Sequence, residues 1–325
     1  MSESSVLSSK EEHNRWLAGY AFLTLAATLV LLYAGGFTTT IGAGMVFPDW
    51  PLSNGSLNPP GWTTDQAMLA EHGHRLIGLK VGILCIGLCI WMRLAEPRLW
   101  LRRLSYLALG FVIFQGLLGG ARVLFVNTDL ANIHGVTAQL FLCLLTCVAV
   151  GSSAWWKRLS TPVTQEQRVY WKRLRWMGIA VCGLTIAQLV IGSILRHRGA
   201  GLAIPYFPHS APDGSFTPMS WNWATQLNIA HRITALVLLI VLCLWVYRIV
   251  RAGWLGAVLK KLALWAFVLI NLQIALGASI IWSARAPFQT TLHVLNGAIF
   301  LSIGCAITFS LFKPEIERKW EQCLK

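Results

Sequence analysis

Four histidines carry the chemistry that this chain can do. His74, His134, His231 and His293 each lie in a different apolar stretch, and they recur in order: 231 − 74 = 157 and 293 − 134 = 159. Imidazole is a ligand for zinc, copper and iron. One histidine near the end of an apolar segment is an ordinary interfacial side chain. Four at one depth, on matched segments of a repeated sequence, point to metal or porphyrin ligation.

Glu71 lies three residues before His74 and so shares its helix face. The position 157 residues on is Asn228, so a carboxylate in the first half faces an amide in the second. Two readings stand for Glu71. It is either an acid that takes a proton or stabilises positive charge beside a bound group, or an interfacial side chain exposed to water. Arg75 and Arg232 follow the paired histidines. They fit either carboxylate binding, as porphyrin propionates would require, or snorkelling to the interface. Arg122, Arg196, Arg198 and Arg285 lie on the same side, and propionate pairing would account for them too. Lys80, inside a span, has no assignment from sequence.

The elements that must position these residues are membrane helices. Of the 325 residues 55% are hydrophobic and 12% charged, about half the charge of a soluble domain. Apolar runs at 16–36, 71–94, 101–122, 130–154, 176–196, 225–250, 259–282 and 288–312 approach or exceed the ~20 residues that cross a bilayer. The expected fold is all-α, a polytopic membrane protein with eight transmembrane helices. The net charge of +14 sits mostly in short loops between spans, which indicates anionic lipid rather than nucleic acid. Segment 37–70 has no Lys or Arg, whereas Arg98, Arg102, Arg103, Lys157, Arg158, Lys172, Lys260 and Lys261 flank alternate turns. The positive-inside bias then places both termini in the cytoplasm of a cell membrane and the four histidines near the outer side.

The repeat extends beyond the histidines. Residues 42–51 match 199–208, and Gln115 with Gly119 matches Gln273 with Gly277. Four spans per half give two pseudo-symmetric four-helix bundles in one orientation. The expected organisation is a cytoplasmic segment 1–15, a first bundle 16–154, a linker 155–175, a second bundle 176–312 and a cytoplasmic tail 313–325. Two histidines on facing helices of a bundle grip a porphyrin iron from opposite sides, so each half offers one haem site. A tetrahedral zinc site would need further ligands in each half, where acidic and thiol partners are scarce. The Glu71/Asn228 difference makes the first half the catalytic, substrate-haem half and the second the holder of a permanent cofactor. Segments 37–70 and 197–224, rich in Pro, Gly and Trp, are either lids over these sites or passive interfacial caps. Seven of the eight cysteines lie in apolar runs and Cys323 in the tail. Small packing residues describe them better than metal ligands, and no disulfide is expected. His72, His197 and His209 read as loop or edge residues, and His13 as cytoplasmic.

The run Glu71-His72-Gly73-His74-Arg75, His134-Gly135, His231-Arg232 and His293, with the Gly-Ala-Gly-Met…Pro-Asp-Trp-Pro loop, resembles the haem A synthase family over about residues 16 to 312. The resemblance implies an oxidoreductase acting on a methyl group: the C8 methyl of haem O becomes the formyl group of haem A, for cytochrome c oxidase. It implies His74 and His134 as ligands of the substrate haem O, Glu71 as the catalytic acid, and His231 and His293 as ligands of a haem b cofactor. It also implies an electron donor, with haem O synthase and cytochrome oxidase assembly factors as neighbours. The outer-loop cysteine pair of some family members is missing here. The competing readings are a membrane b-type cytochrome for quinol-linked electron transfer and a two-repeat transporter.

Overall fold

A computed structural model describes residues 14–324. Eight of its helices are long and apolar enough to cross a membrane: α1 Arg15–Thr40, α2 Gln66–Ala95, α3 Leu99–Leu124, α4 Thr128–Ser152, α5 Gln165–His197, α6 Trp223–Arg251, α7 Ala257–Trp282 and α8 Pro287–Ser310. No β-strand occurs among the described residues. The molecule is an all-α, multi-pass membrane protein. In hydrocarbon each backbone polar group needs a partner within its own helix, so apolar sequence of this length folds this way. The segment read as 1–15, with His13, lies almost wholly outside the described residues, as does the side chain of Cys323.

Helix ends depart most from the hydropathy reading where a span continues into water. α5 starts at Gln165, three turns before the expected 176, so much of the segment expected as a linker is helix. A capping box starts it: Thr164 Oγ1 accepts from Gln167 N at 3.2 Å, and Gln167 Oε1 accepts from Thr164 N at 3.3 Å. Trp171 and Leu174 in this extension are buried, and Trp171 Nε1 donates to Leu311 O at 2.6 Å. A hydropathy window misses such an extension because its other face is charged. Likewise α2 starts at Gln66, capped by Asp65 Oδ1 accepting from Met68 N at 2.8 Å. The fourth span ends at Ser152. A one-turn helix, Ala154–Arg158, follows and stacks Trp156 on Phe309 at 4.8 Å. A final helix, α9, covers Lys313–Leu324.

Neighbouring helices close two rings, α1–α2–α3–α4 and α5–α6–α7–α8. The rings meet through α1, α4, α5 and α8, with α4 against α8. That α4–α8 seam is built of small and polar side chains. Thr146 Oγ lies 2.7 Å from Ser302 Oγ, and Cys147 Sγ lies 3.7 Å from Cys305 Sγ. Small residues let membrane helices approach closely where no hydrophobic force separates lipid from protein. All seven described cysteines are free thiols, and no group of three or more His, Cys, Asp or Glu side chains gathers around a metal-sized site among the described residues.

The long connections 41–65 and 198–222 lie at one end of the bundle, above the starts of α2 and α6. Gly178 of α5 marks the tightest approach in the second ring. A Cβ there would stand 2.5 Å from Thr308 Oγ1 and 2.8 Å from the Trp245 ring. Gly178→Ala is therefore expected to destabilise the fold by about 1–3 kcal/mol through overpacking. Thermal unfolding in detergent measures it, and an unchanged midpoint would contradict the packing described.

Candidate active site

The four histidines come to a common depth under the loop end. His74 and His231 lie eight residues inside their helices (74 − 66; 231 − 223), and His134 and His293 six (134 − 128; 293 − 287). At ~1.5 Å per residue this is roughly 9–12 Å below the helix starts. His74 lies within electrostatic range of His134, and His231 within range of His293. Each half thus brings one pair of histidines within that range.

Each ring rests on a glycine of a neighbouring helix. A Cβ on Gly35 would stand 2.7 Å from His74 Cε1, and one on Gly119 3.2 Å from His134 Cε1. The matching distances are 3.3 Å for Gly192 and His231 and 3.3 Å for Gly277 and His293. The glycines repeat with the histidines, since 192 − 35 = 157 and 277 − 119 = 158. Gly35 and Gly192 went unnoticed in the sequence, although that offset could have found them. All four Nδ1 atoms are buried with no partner in hydrogen-bonding geometry. Near three of the rings lies the backbone of Leu31, Gln115 or Gln273, one turn before the facing glycine. Metal-bound histidines use such a carbonyl to orient the ring through its second nitrogen.

Glutamines brace the histidine helices from the side. Gln188 Nε2 donates to His231 O at 2.7 Å and Gln273 Nε2 to His293 O at 3.1 Å. In the first half Gln115 Nε2 donates to Thr137 Oγ1 at 2.6 Å.

Glu71 is buried, with 3% of its surface exposed, which overturns the reading of it as a water-exposed interfacial side chain. Its Oε2 accepts from Val46 N at 2.6 Å and Phe47 N at 3.1 Å, and its Oε1 from Arg75 Nη2 at 2.6 Å. Arg75 in turn donates to Phe47 O at 3.2 Å, Asp49 O at 2.7 Å and Leu52 O at 2.5 Å. Arg232 makes the same clasp in the second half, to Ile204 O at 3.3 Å, Tyr206 O at 2.7 Å and His209 O at 2.8 Å. The three acceptors repeat at an offset of 157. Both arginines are loop anchors, a role the sequence reading did not include, and it occupies the Nη donors that propionate contacts would use. Asn228 only partly replaces Glu71, accepting from Arg232 Nε at 3.1 Å and donating to Gly201 O at 3.4 Å.

The first loop closes onto this end. Trp50 lies against Gly120, next to the glycine under His134, and a Cβ on Gly120 would stand 2.5 Å from the indole. Arg122 Nη2 donates to Gly44 O at 2.7 Å. His72, read as an edge residue, is buried, with Nδ1 2.9 Å from Ser53 Oγ and its ring edge-on to Trp62 at 4.7 Å. Arg198 is paired with Asp129 at 2.9 Å. Lys80 is exposed on the outer surface of α2.

Two outcomes test the loop. Arg75→Ala leaves Glu71 as a buried unpaired charge, a change that costs about 3–5 kcal/mol. Residues 53–58 should then be cut faster in limited proteolysis, and unchanged resistance would contradict the clasp. At the loop tip the Gly55 N–H, joined by that of Asn54, holds the Asp49 carboxyl below its ordinary pKa. A depressed carboxyl stabilises above its unfolded pKa and loses this as pH falls through its folded value. The tip should therefore keep its resistance at neutral pH and lose it only below the ordinary carboxylate range, and Asp49→Asn should abolish that pH dependence.

Known proteins resemble this chain in sequence. Residues 18–304 match the model of the COX15-CtaA family, described as cytochrome oxidase assembly protein. A protein named heme A synthase from Symbiobacterium thermophilum is 31% identical over 79% of this chain and 83% of its own length. One of the same name from Exiguobacterium sibiricum is 27% identical over 90% and 94%. Another, from Lysinibacillus sphaericus, is 26% identical over 95% and 99%. With the family model spanning all eight membrane helices and both histidine pairs, the chain belongs to the COX15-CtaA family of cytochrome oxidase assembly proteins.

Proposed function

We propose that this chain is a haem A synthase, an oxidoreductase that converts the C8 methyl of haem O to a formyl group and so supplies haem A to cytochrome c oxidase. Family membership and the names of its relatives support the reading. The observation that carries it is the two imidazole pairs at one depth, each ring seated on a glycine with its Nδ1 buried. That donor set would let His74 with His134, and His231 with His293, each hold an iron porphyrin.

In this reading His74 and His134 hold the substrate haem O, and His231 and His293 hold a resident haem b. When bound, the iron porphyrin supplies the redox chemistry. The chain's own contribution is position and charge. Glu71, fixed by three N–H donors and paired with Arg75, places a carboxylate one turn before His74, where it would take or return a proton at the first site. Arg75 and Arg232 hold the two loops over the sites as lids that keep bulk water from them. The charge pattern of the connections supports a plasma-membrane protein with cytoplasmic termini and outer-side haems. A partner to exchange electrons, haem O synthase and oxidase assembly factors complete the setting. The quinol-linked cytochrome is disfavoured because all four rings lie at one end, whereas electron passage across a bilayer needs sites near both faces.

The test is expression in a host that makes haem O but no haem A, followed by haem extraction and mass measurement. The wild-type chain should yield haem A. Glu71→Gln should retain haem while conversion falls by about 10²–10³-fold. An extract holding only haem O beside abundant wild-type protein would refute the function, and undiminished conversion by the variant would refute the role of Glu71.

A further inference from the structure

Arg196 lies in the last turn of α5, four residues after Gly192, the glycine under His231. Its Nη2 crosses to the other half, donating to Gly36 O of α1 at 2.6 Å and to Thr40 Oγ1. Gly36 follows Gly35, the glycine under His74. Thr40 is also approached by Thr291 Oγ1 of α8 at 3.5 Å, two residues before His293. One side chain thus ties together, at the junction of α1, α5 and α8, the backbones that carry or face rings of both pairs.

The charge around Arg196 is uncompensated. Arg285 and His197 lie within electrostatic range of it, and His197 is also in range of Arg122. Among the described residues, arginine ion pairs join Arg75 to Glu71, Arg98 to Glu96, Arg175 to Glu315 and Arg198 to Asp129. None includes Arg122, Arg196 or Arg285. Arg196 is half-buried, and shielding a guanidinium from water without an anion is costly; its hydrogen bonds run from Nη2, which leaves Nε and Nη1 as accessible donors. A planar guanidinium with free donors matches a carboxylate.

We infer that Arg196 is a positioning residue between the two sites, which binds a propionate carboxylate of the porphyrin held by His231 and His293. The inference rests on the haem reading above. The fixed positive charge favours the reduced iron, so it raises that haem's reduction potential and couples it to the substrate half through α1.

Potentiometric titration of the purified full chain, followed by haem absorbance, tests this on the wild type, Arg196→Lys and Arg196→Gln, with and without added anionic lipid. Arg196→Gln should shift the midpoint of one haem to lower potential. Arg196→Lys should keep the midpoint near that of the wild type but release haem faster on washing, because the charge remains while the fork is lost. Three results would overturn the inference. One is wild-type potential and haem retention in Arg196→Gln. The second is a shift seen only when lipid is withdrawn, which makes a lipid phosphate the anion. The third is equal haem loss from both variants with loss of helical structure, which marks a packing role. Wild-type protein free of porphyrin would instead remove the haem reading, and this inference with it.

Discussion

An imidazole can press its Cε1 edge this closely against a neighbouring helix only where that helix has no Cβ. This steric constraint organises both ring pairs. Gly35, Gly119, Gly192 and Gly277 each leave the space that a histidine ring fills, and a methyl group at any of them would press on the ring. Helix interiors close-pack with little slack, so these contacts fix the azimuth of α1 against α2, α3 against α4, α5 against α6 and α7 against α8. In the second half, braces from Gln188 and Gln273 to the histidine carbonyls hold α5 to α6 and α7 to α8 along their axes. Four ring positions follow from backbone geometry rather than from flexible loops, as a ligand set for a rigid planar group requires.

The loops are governed by a second constraint, the cost of burying polar backbone. Each has turns that satisfy part of its backbone, and several remaining carbonyls need donors from outside the loop. One arginine in each half supplies them, at matching carbonyls. In the first half Glu71 answers the loop's N–H groups as well, so loop, carboxylate and His74 form one connected unit on successive turns of α2. In the second half an amide stands at that position and the clasp is looser. At this position the two halves differ: an ionisable carboxylate in the first stands where a neutral amide stands in the second.

Their junction carries the remaining charge. α4 and α8 meet through small, uncharged side chains, while at the loop end α1, α5 and α8 meet around the Arg196 guanidinium. A cation in such a place is stable only with an anion beside it.

The number of spans, the likeness of the two halves and the four histidines were legible in the sequence, because each is a matter of periodicity and composition. Hydropathy reports which segments must leave water, and a fixed offset of about 157 residues reports duplication wherever it occurs. Glu71 was legible as the residue that breaks the likeness. Its environment was not, since burial depends on a loop 24 residues upstream folding back over it. The loop clasps of Arg75 and Arg232 were hidden for the same reason: their acceptors are backbone carbonyls, which leave no mark in a sequence. The water-side turns of α5 escaped hydropathy because only one face of them is apolar. What tertiary structure alone decided is which atoms meet: which ring faces which glycine, which donors the loops consume, and which cations are left without a partner. Those are distances between segments far apart in the chain, and local sequence pattern does not encode them.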